Sequence, residues 1–136
     1  MRYKDVTQQV IGCAFTVHKG LGGGFLEKVY ENALLLELRE AGLRVQQQFP
    51  VPVFYRNERA GEYFADLPIE DVIVCEVKAA VLLAKEHELQ LVNYLCATGL
   101  DAGLLINFGK SVAVRRKFRK YKNPVNPVHS SHDIAD

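Results

Sequence analysis

Several features that define whole classes of proteins are missing from this 136-residue sequence. No apolar run reaches the ~18 residues that a membrane-spanning helix needs, and the opening segment MRYKDVTQQV has no apolar core of a secretory signal. Cysteine is scarce: Cys13, Cys75 and Cys96 are odd in number and form no C-x-x-C pair, which argues against a zinc site or a disulfide framework. We therefore expect a cytoplasmic protein with no membrane partner.

A strong charge of one sign is also absent. The net charge is +1, so any nucleic-acid-binding surface has to be local. The length suits one domain with a real core, which we assign to residues 1–122. Residues 123–136 contain two Asn-Pro steps and no periodicity, which predicts a flexible C-terminal tail.

The glycine-rich stretch GLGGG at residues 20–24 lacks the motifs of a phosphate-binding loop. No Gly-Lys-Ser or Gly-Lys-Thr follows it. A G-x-G-x-x-G fingerprint counted from Gly20 meets Phe25 where its last glycine should stand, and the element before it is a predicted helix instead of a strand. We therefore interpret the stretch as a tight connection between two helices.

Apolar periodicity predicts three helices. The first begins at about Asp5 and ends at Gly20. The second begins near Phe25 and ends at Gly42, and the third covers residues 85–98.

β-Branched and aromatic residues predict the strands. Between the second and third helices, LRVQQQFPVPVFY, EYFADLPI and VIVCEVKAAV form an antiparallel meander with a turn at Glu70-Asp71. After the third helix, DAGLLINF suits a strand buried on both faces, and SVAVRRKFRKYK is a strand or a helix. The order α-α-β-β-β-α-β(-β) is that of an α/β or α+β protein.

Glu27 has two competing interpretations. If Gly24 is the N-cap of the second helix, Glu27 is the third helical residue, whose carboxylate can bond back to the cap amide. Helical spacing also puts Glu27 at the border of the apolar stripe beside Tyr30 and Leu34. From there it can lie along the face of a packed sheet.

The segment ADLPIEDVIVCEVKA carries the strongest chemical signal. Asp66 lies near the end of one predicted strand, and Glu76 and Lys78 share one face of the next because side chains alternate along a strand. Two carboxylates joined by a tight turn can hold a hard cation such as Mg²⁺, and a lysine beside them can orient water or stabilise charge. The competing interpretation is a salt-bridged, half-exposed strand.

The third helix combines a polar and an apolar side. Its polar stripe contains His87, Gln90 and Tyr94, which suits water or substrate contacts but also fits an ordinary amphipathic helix. The residues predicted to face the core are Leu89, Val92, Leu95 and Cys96.

The run VRRKFRKYK mixes cations with the aromatic residues Phe118 and Tyr121. This composition is typical of phosphate contacts combined with base stacking, although a solvated surface element fits equally well. The candidate nucleic-acid contacts are Arg115, Arg116, Lys117, Arg119 and Lys120.

Several of these motifs together resemble a known family. GFLEKVY, residues 24–30, fits the signature of the GxxExxY protein family. The resemblance extends over residues 5–118, through FTVHKGLGGGFLEKVYENAL, GEYFADL, IVCEVKA, HELQLVNYL and GLLINFG in the order of that family. The family is grouped with the PD-(D/E)XK nuclease-like superfamily, so the resemblance implies a restriction-endonuclease-like core, with a central mixed sheet flanked by helices.

The resemblance also implies roles for individual residues. Glu27 is the acidic residue of the first core helix, and Asp66 is the first metal-binding carboxylate. The remaining matches are Glu76 and Lys78 with the (D/E)-x-K pair, and Gln90 and Tyr94 with the Q-x-x-x-Y element of the exonuclease branch. Two positions depart from the family pattern: Gly23, where proline is frequent, and Pro68, where an apolar strand residue is usual.

The expected function is then metal-dependent hydrolysis of phosphodiester bonds in DNA or RNA. Asp66, Glu76, Glu27 and the Val77 carbonyl are the expected ligands of Mg²⁺ or Mn²⁺, and a homodimer is compatible with the superfamily. Two alternatives remain open on the same fold: a nucleic-acid-binding module without turnover, and a protein-interaction domain.

Overall fold

The computed structural model describes residues 3–119, so Lys120 and the predicted tail at 123–136 lie outside the described residues. Three helices and six strands make up this part of the chain. The helices are α1 (Tyr3–Leu21), α2 (Glu27–Glu40) and α3 (Lys85–Thr98). The strands are β1 (Phe49–Tyr55), β2 (Glu58–Ala65), β3 (Leu67–Ile69), β4 (Ile73–Lys78), β5 (Ala102–Phe108) and β6 (Val112–Phe118). None of the helices in residues 3–119 is long and apolar enough to cross a bilayer.

The predicted α+β class is confirmed. A four-stranded sheet has the order β3-β4-β5-β6, in which β4 and β5 are parallel and the outer pairs are antiparallel. α1 and α2 cover one face through a core that includes Leu34 and Ile106, while α3 covers the other through Leu91 and Leu95. The β5 strand is buried along its whole length, as its apolar sequence predicts.

The predicted meander is divided between two sheets. β1 and β2 form a separate antiparallel hairpin whose two turn residues, Arg56 and Asn57, have positive φ values as a type I′ turn requires. The predicted strand EYFADLPI breaks at Asp66 into β2 and β3. A second positive-φ turn, Glu70-Asp71, then leads into β4, as predicted. The break raises the number of strands before α3 from three to four.

The ends of the first two helices differ from the prediction. α1 continues past Gly20, and the left-handed residue is Gly22, with φ of 71° and its amide bonded to His18 O at 2.7 Å. α2 begins at Glu27 after an extended Leu26 that makes no side-chain cap bond. The capping interpretation of Glu27 is therefore wrong, because the N-cap is Leu26 instead of Gly24 and Glu27 is the first helical residue instead of the third.

The buried side of α3 is also rotated from the predicted one. Val92 and Leu95 face the core as expected, but Leu89 is 58% exposed and Leu91 is buried in its place. The physical reason is the position of Gly103 on β5, where the absence of a side chain lets Leu91 and Leu95 approach the sheet.

Tyr30 holds the glycine connection in place. Its hydroxyl donates to Gly22 O at 2.6 Å and accepts from the Phe25 amide at 3.2 Å. Its ring stacks on Phe108 at a centroid distance of 4.7 Å. Tyr30 is thus a brace that ties the start of α2 to the end of β5, as its position after the glycines suggests.

Replacing Tyr30 by phenylalanine should destabilise the protein by about 1–3 kcal/mol, because two part-buried hydrogen bonds, from the Phe25 amide and to the Gly22 carbonyl, are lost together. Urea unfolding measures the change. Tyr55→Phe is the matched control, since Tyr55 is 57% exposed on the hairpin. Equal losses in the two variants would contradict the role of Tyr30 as a brace.

Candidate active site

Two carboxylates are tied to each other through the backbone where β3 and β4 separate. The Asp66 amide donates to Glu76 Oε2 at 3.0 Å, and the Val77 amide donates to Asp66 Oδ2 at 2.8 Å. The register of β3 and β4 puts Asp66 opposite Glu76, one position beyond the last paired residues, Leu67 and Cys75. At this point the two side-chain carboxylates, instead of backbone carbonyls, accept the hydrogen bonds of the backbone amides. The backbone geometry therefore holds the carboxylates close together.

A third carboxylate, Glu31 of α2, lies beside this pair. Glu31 is only 2% exposed and accepts hydrogen bonds from Lys28 at 3.2 Å and from Gln47 at 2.8 Å. The side-chain amide of Gln48 donates both to Glu31 Oε2 at 3.0 Å and to Asp66 Oδ1 at 3.0 Å. Glu31 and Asp66 are thus bridged by one side chain.

Burial and mutual repulsion make this cluster electrostatically costly. Glu76 is 7% exposed, and burial followed by the charge of Asp66 raises its pKa to about 8. Burial is also the largest cause of the raised pKa of Asp66, to which Glu31 and Glu27 add repulsion. Because only Glu31 has a close cationic partner within the described residues, Lys28, a group of this kind favours a bound proton or a bound cation at Asp66 and Glu76.

Lys78 and Glu27 lie at the margins of the cluster. Lys78 follows Glu76 on the same face of β4, is half-buried, and counteracts the rise in the pKa of Glu76 by its positive charge. Within the described residues no ion pair joins Glu76 to Lys78.

Because β4 is buried almost throughout and this ion pair is missing from the described part of the chain, the interpretation of the segment as a salt-bridged, half-exposed strand is wrong. Glu27 is exposed at the first turn of α2, close enough to raise the pKa of Asp66.

The α3 side of the site is aromatic. Tyr94 stacks on Tyr63 of β2 with ring centroids 3.5 Å apart. The charge of Glu76 adds to burial in raising the pKa of both hydroxyls, which puts them near that carboxylate. Gln90 is exposed one turn before Tyr94, whereas His87 accepts the Ala84 amide at 3.2 Å and so serves as a cap of α3.

The predicted basic run forms β6, and its cations lie on two faces. Lys117 binds Glu88 of α3 at 3.0 Å, and Arg115 lies 3.8 Å from the same carboxylate. Both therefore share the α3 side of the sheet with Glu76. Arg116 points to the opposite face, and Arg119 pairs with Asp101 at 2.8 Å. Lys120 lies outside the described residues.

The donor set can be compared with what a divalent cation requires. Within residues 3–119 no group of three or more histidine, cysteine, aspartate or glutamate side chains is arranged to hold a metal. Mg²⁺, however, is usually bound by only one or two carboxylates, with waters and substrate phosphates as its other ligands. Asp66 and Glu76 supply two oxygen donors with spare lone pairs and a charge excess, so the residues present fit such an ion.

This geometry agrees with a family match over nearly the whole chain. The model of the PD-(D/E)XK nuclease superfamily matches residues 4–121. The chain belongs to the PD-(D/E)XK nuclease superfamily. Nuclease-like function and the use of divalent metals are general to this superfamily.

Solved structures agree with the superfamily fold. Three solved chains match, among them the crystal structure of SSO0001, with a TM-score of 0.55 and 17% sequence identity. The alignment covers 79% of this chain and 56% of the SSO0001 chain, so the present protein spans little more than half of that length. This likeness concerns the fold alone. No curated protein matches the sequence.

Three residues of this candidate site are not singled out by the sequence pattern. Glu31 could have been found from helical spacing, because it lies four residues after Glu27 on the same side of α2. Gln48 and Tyr63 give no comparable signal, since both reach the site only through the pairing of irregular and hairpin segments with β3 and α3. The predicted residues Asp66, Glu76 and Lys78 are brought together, while Gln90 and the basic run lie further out on α3 and β6.

In the metal-free protein, the free energy of unfolding should fall as the pH rises from about 5 to about 8. The pKa of Glu76 is about 8 when folded, against 4.5 for an ordinary glutamate, so the folded state binds more protons between these values. The contribution of protonated Glu76 is complete below the unfolded pKa and is lost as the pH rises through the folded one.

Urea unfolding with EDTA at several pH values measures this slope. Glu76→Gln should flatten it, because glutamine is neutral throughout, whereas Glu58→Gln on the exposed hairpin should not. A slope that persists in Glu76→Gln would mean that Glu76 does not titrate in this range.

Proposed function

We propose that this protein is a metal-dependent nuclease of the GxxExxY branch that hydrolyses phosphodiester bonds of nucleic acid, with DNA as the expected substrate. The observation that carries the proposal is the backbone-linked pair of Asp66 and Glu76, with Lys78 on the same face. Such a pair is electrostatically incomplete without a cation, and the nearby lysine supplies the charge that phosphodiester hydrolysis uses.

Asp66 and Glu76 are the proposed ligands of Mg²⁺ or Mn²⁺. Glu27, at the exposed start of α2, and the Val77 carbonyl are proposed as further oxygen ligands, direct or through water. A divalent ion bound there would polarise the scissile phosphate and make water a better nucleophile. The chain itself holds the two carboxylates in a fixed relation, because each accepts a backbone amide.

Lys78 is proposed to orient the attacking water and to stabilise the charge that builds on the phosphate. In this step the water oxygen forms a bond to phosphorus as the bond to the leaving oxygen breaks. Gln90 and Tyr94 on α3 are proposed to orient water or substrate. The stacked ring of Tyr63 limits the movement of Tyr94, which keeps its hydroxyl near Glu76.

The basic residues of β6 are proposed to contact the substrate backbone. Arg115 and Lys117 are the best placed, because they share the α3 side of the sheet with the carboxylates. Glu88 holds both cations and so fixes their position at the cost of part of their charge. Arg116, Arg119 and Lys120 are proposed as weaker contributors. We also propose that the protein acts in the cytoplasm and can form a homodimer.

Asp66→Asn, Glu76→Gln and Lys78→Met should each lower the cleavage rate by roughly a thousandfold or more, because each removes a ligand or a charge that acts in the transition state. Cleavage of labelled single- and double-stranded DNA and of RNA, with Mg²⁺, Mn²⁺ or EDTA, measures the effect. Glu58→Gln is the control and should retain full activity.

Cleavage that survives EDTA or Glu76→Gln would overturn the proposed chemistry. If no metal supports cleavage but nucleic acid still binds in a salt-dependent way, the domain is a binding module. If nucleic acid does not bind at low salt, the protein-interaction alternative holds.

Neutralising Arg115 and Lys117 together should weaken DNA binding and reduce its salt dependence. Each lost phosphate contact lowers the slope of log K against log salt by ~0.9 for duplex DNA, so a decrease approaching two is expected. Glu88→Gln should act in the opposite direction by releasing both cations. Fluorescence anisotropy in Ca²⁺ at several salt concentrations measures the slope. An unchanged slope in the double variant would exclude β6 from the interface.

A further inference from the structure

We propose that Gln48 is a positioning residue for Asp66, with the buried carboxylate of Glu31 as its anchor. The placement of Asp66 by Gln48 is a property of the metal-free protein, whereas its consequence for cation binding rests on the proposed function. Gln48 lies outside the sequence motifs that mark the site, and the family resemblance assigns no role to Glu31.

The side-chain amide of Gln48 is shared between the two carboxylates. Its Nε2 lies 3.2 and 3.0 Å from the two oxygens of Glu31 and 3.0 Å from Asp66 Oδ1. An amide nitrogen carries two hydrogens, so one can serve Glu31 and the other Asp66. The other oxygen of Asp66 accepts the Val77 amide. The orientation of the Asp66 carboxylate is thus fixed by one donor from each side.

The backbone of Gln48 supports the same function. Its amide donates to Asp66 O at 2.9 Å, and the preceding Gln46 amide donates to Pro68 O at 3.0 Å, so this segment runs alongside β3. Gln48 has a φ of 53°, in the left-handed region that long side chains rarely adopt. A strained backbone conformation persists only where the surrounding structure stabilises it. Here the strained conformation of Gln48 accompanies a side-chain amide that lies between the carboxylates of Glu31 and Asp66.

Glu31 gives the amide a fixed point of attachment. It is buried, and Lys28 and Gln47 donate to it in addition to Gln48. Lys28 supplies its nearest positive charge, at 3.2 Å. With its oxygens engaged in this way, Glu31 can orient Gln48 while the neutral amide separates its charge from that of Asp66.

Two substitutions at Gln48 test the role of its side-chain amide without changing the backbone conformation. Gln48→Gly suits the left-handed φ and removes the side chain, so the backbone has no reason to change. Gln48→Asn also tolerates this φ but is one methylene shorter and cannot reach both carboxylates. Gln46→Asn is the matched control, two residues away with an exposed side chain.

The first measurement is hydrogen exchange at the Val77 amide in metal-free protein, with the Leu105 amide of β5 as reference. Loss of the Gln48 bridge frees Asp66, so exchange at Val77 should accelerate by more than at Leu105 in both Gln48 variants and not in Gln46→Asn. The second is calorimetric titration with Mn²⁺, for which the dissociation constant should rise ~10-fold in the Gln48 variants.

Each measurement can contradict one part of the proposal independently of the other. Val77 exchange that follows Leu105 in both Gln48 variants overturns the placement of Asp66 by Gln48, whatever the metal does. Accelerated exchange with unchanged Mn²⁺ affinity overturns the link to cation binding. If the wild-type protein binds no Mn²⁺, the proposed nuclease site fails, and the exchange result still decides the role of Gln48.

Discussion

The central constraint on this structure is the repulsion among carboxylates that the fold holds close together in a buried place. Asp66 and Glu76 can coexist there because Glu76 accepts the backbone amide of Asp66 and Asp66 accepts that of Val77. Glu31 can join them because the side-chain amide of Gln48 lies between Glu31 and Asp66. These bonds replace the regular ladder beyond Leu67, so they also explain why β3 is short and why Asp66 lies in a break between β2 and β3. The strand pairing therefore breaks at Asp66 because the carboxylates of the acidic cluster accept the backbone hydrogen bonds there.

The surrounding elements fix this feature from both sides. The hydroxyl of Tyr30 closes the glycine connection, which sets the start of α2 and therefore the positions of Glu27 and Glu31, one helical turn apart. On the other side, Asn107 of β5 binds both the amide and the carbonyl of Ala80, at 2.8 and 2.9 Å. The chain that follows Lys78 is thereby attached to the neighbouring parallel strand. The glycines thus form the turn before α2, and the bonds of Tyr30 to that turn fix where the two glutamates at the start of the helix lie.

Local signals predicted the parts of this site that depend on local order. Alternation along β4 was enough to put Glu76 and Lys78 on one face, and the third helix has the predicted limits of 85–98. Signals of this kind cannot reveal Gln48, whose role comes from an irregular segment that pairs with β3. Nor do they fix helix ends next to several glycines, where any of the glycines can take the left-handed position that Gly22 occupies at the end of α1.

The arrangement is hard to explain as a structural element. A buried carboxylate that merely stabilised the fold would be expected to have a close cationic partner. Glu76 instead has Asp66 beside it, its pKa is raised to about 8, and Lys78 makes no ion pair with it within the described residues. An apolar pair at these two positions would be cheaper to bury and would let β2 and β3 continue as one strand. The cost makes sense if a divalent cation supplies the missing charge, so that the instability of the empty cluster becomes affinity for the ion.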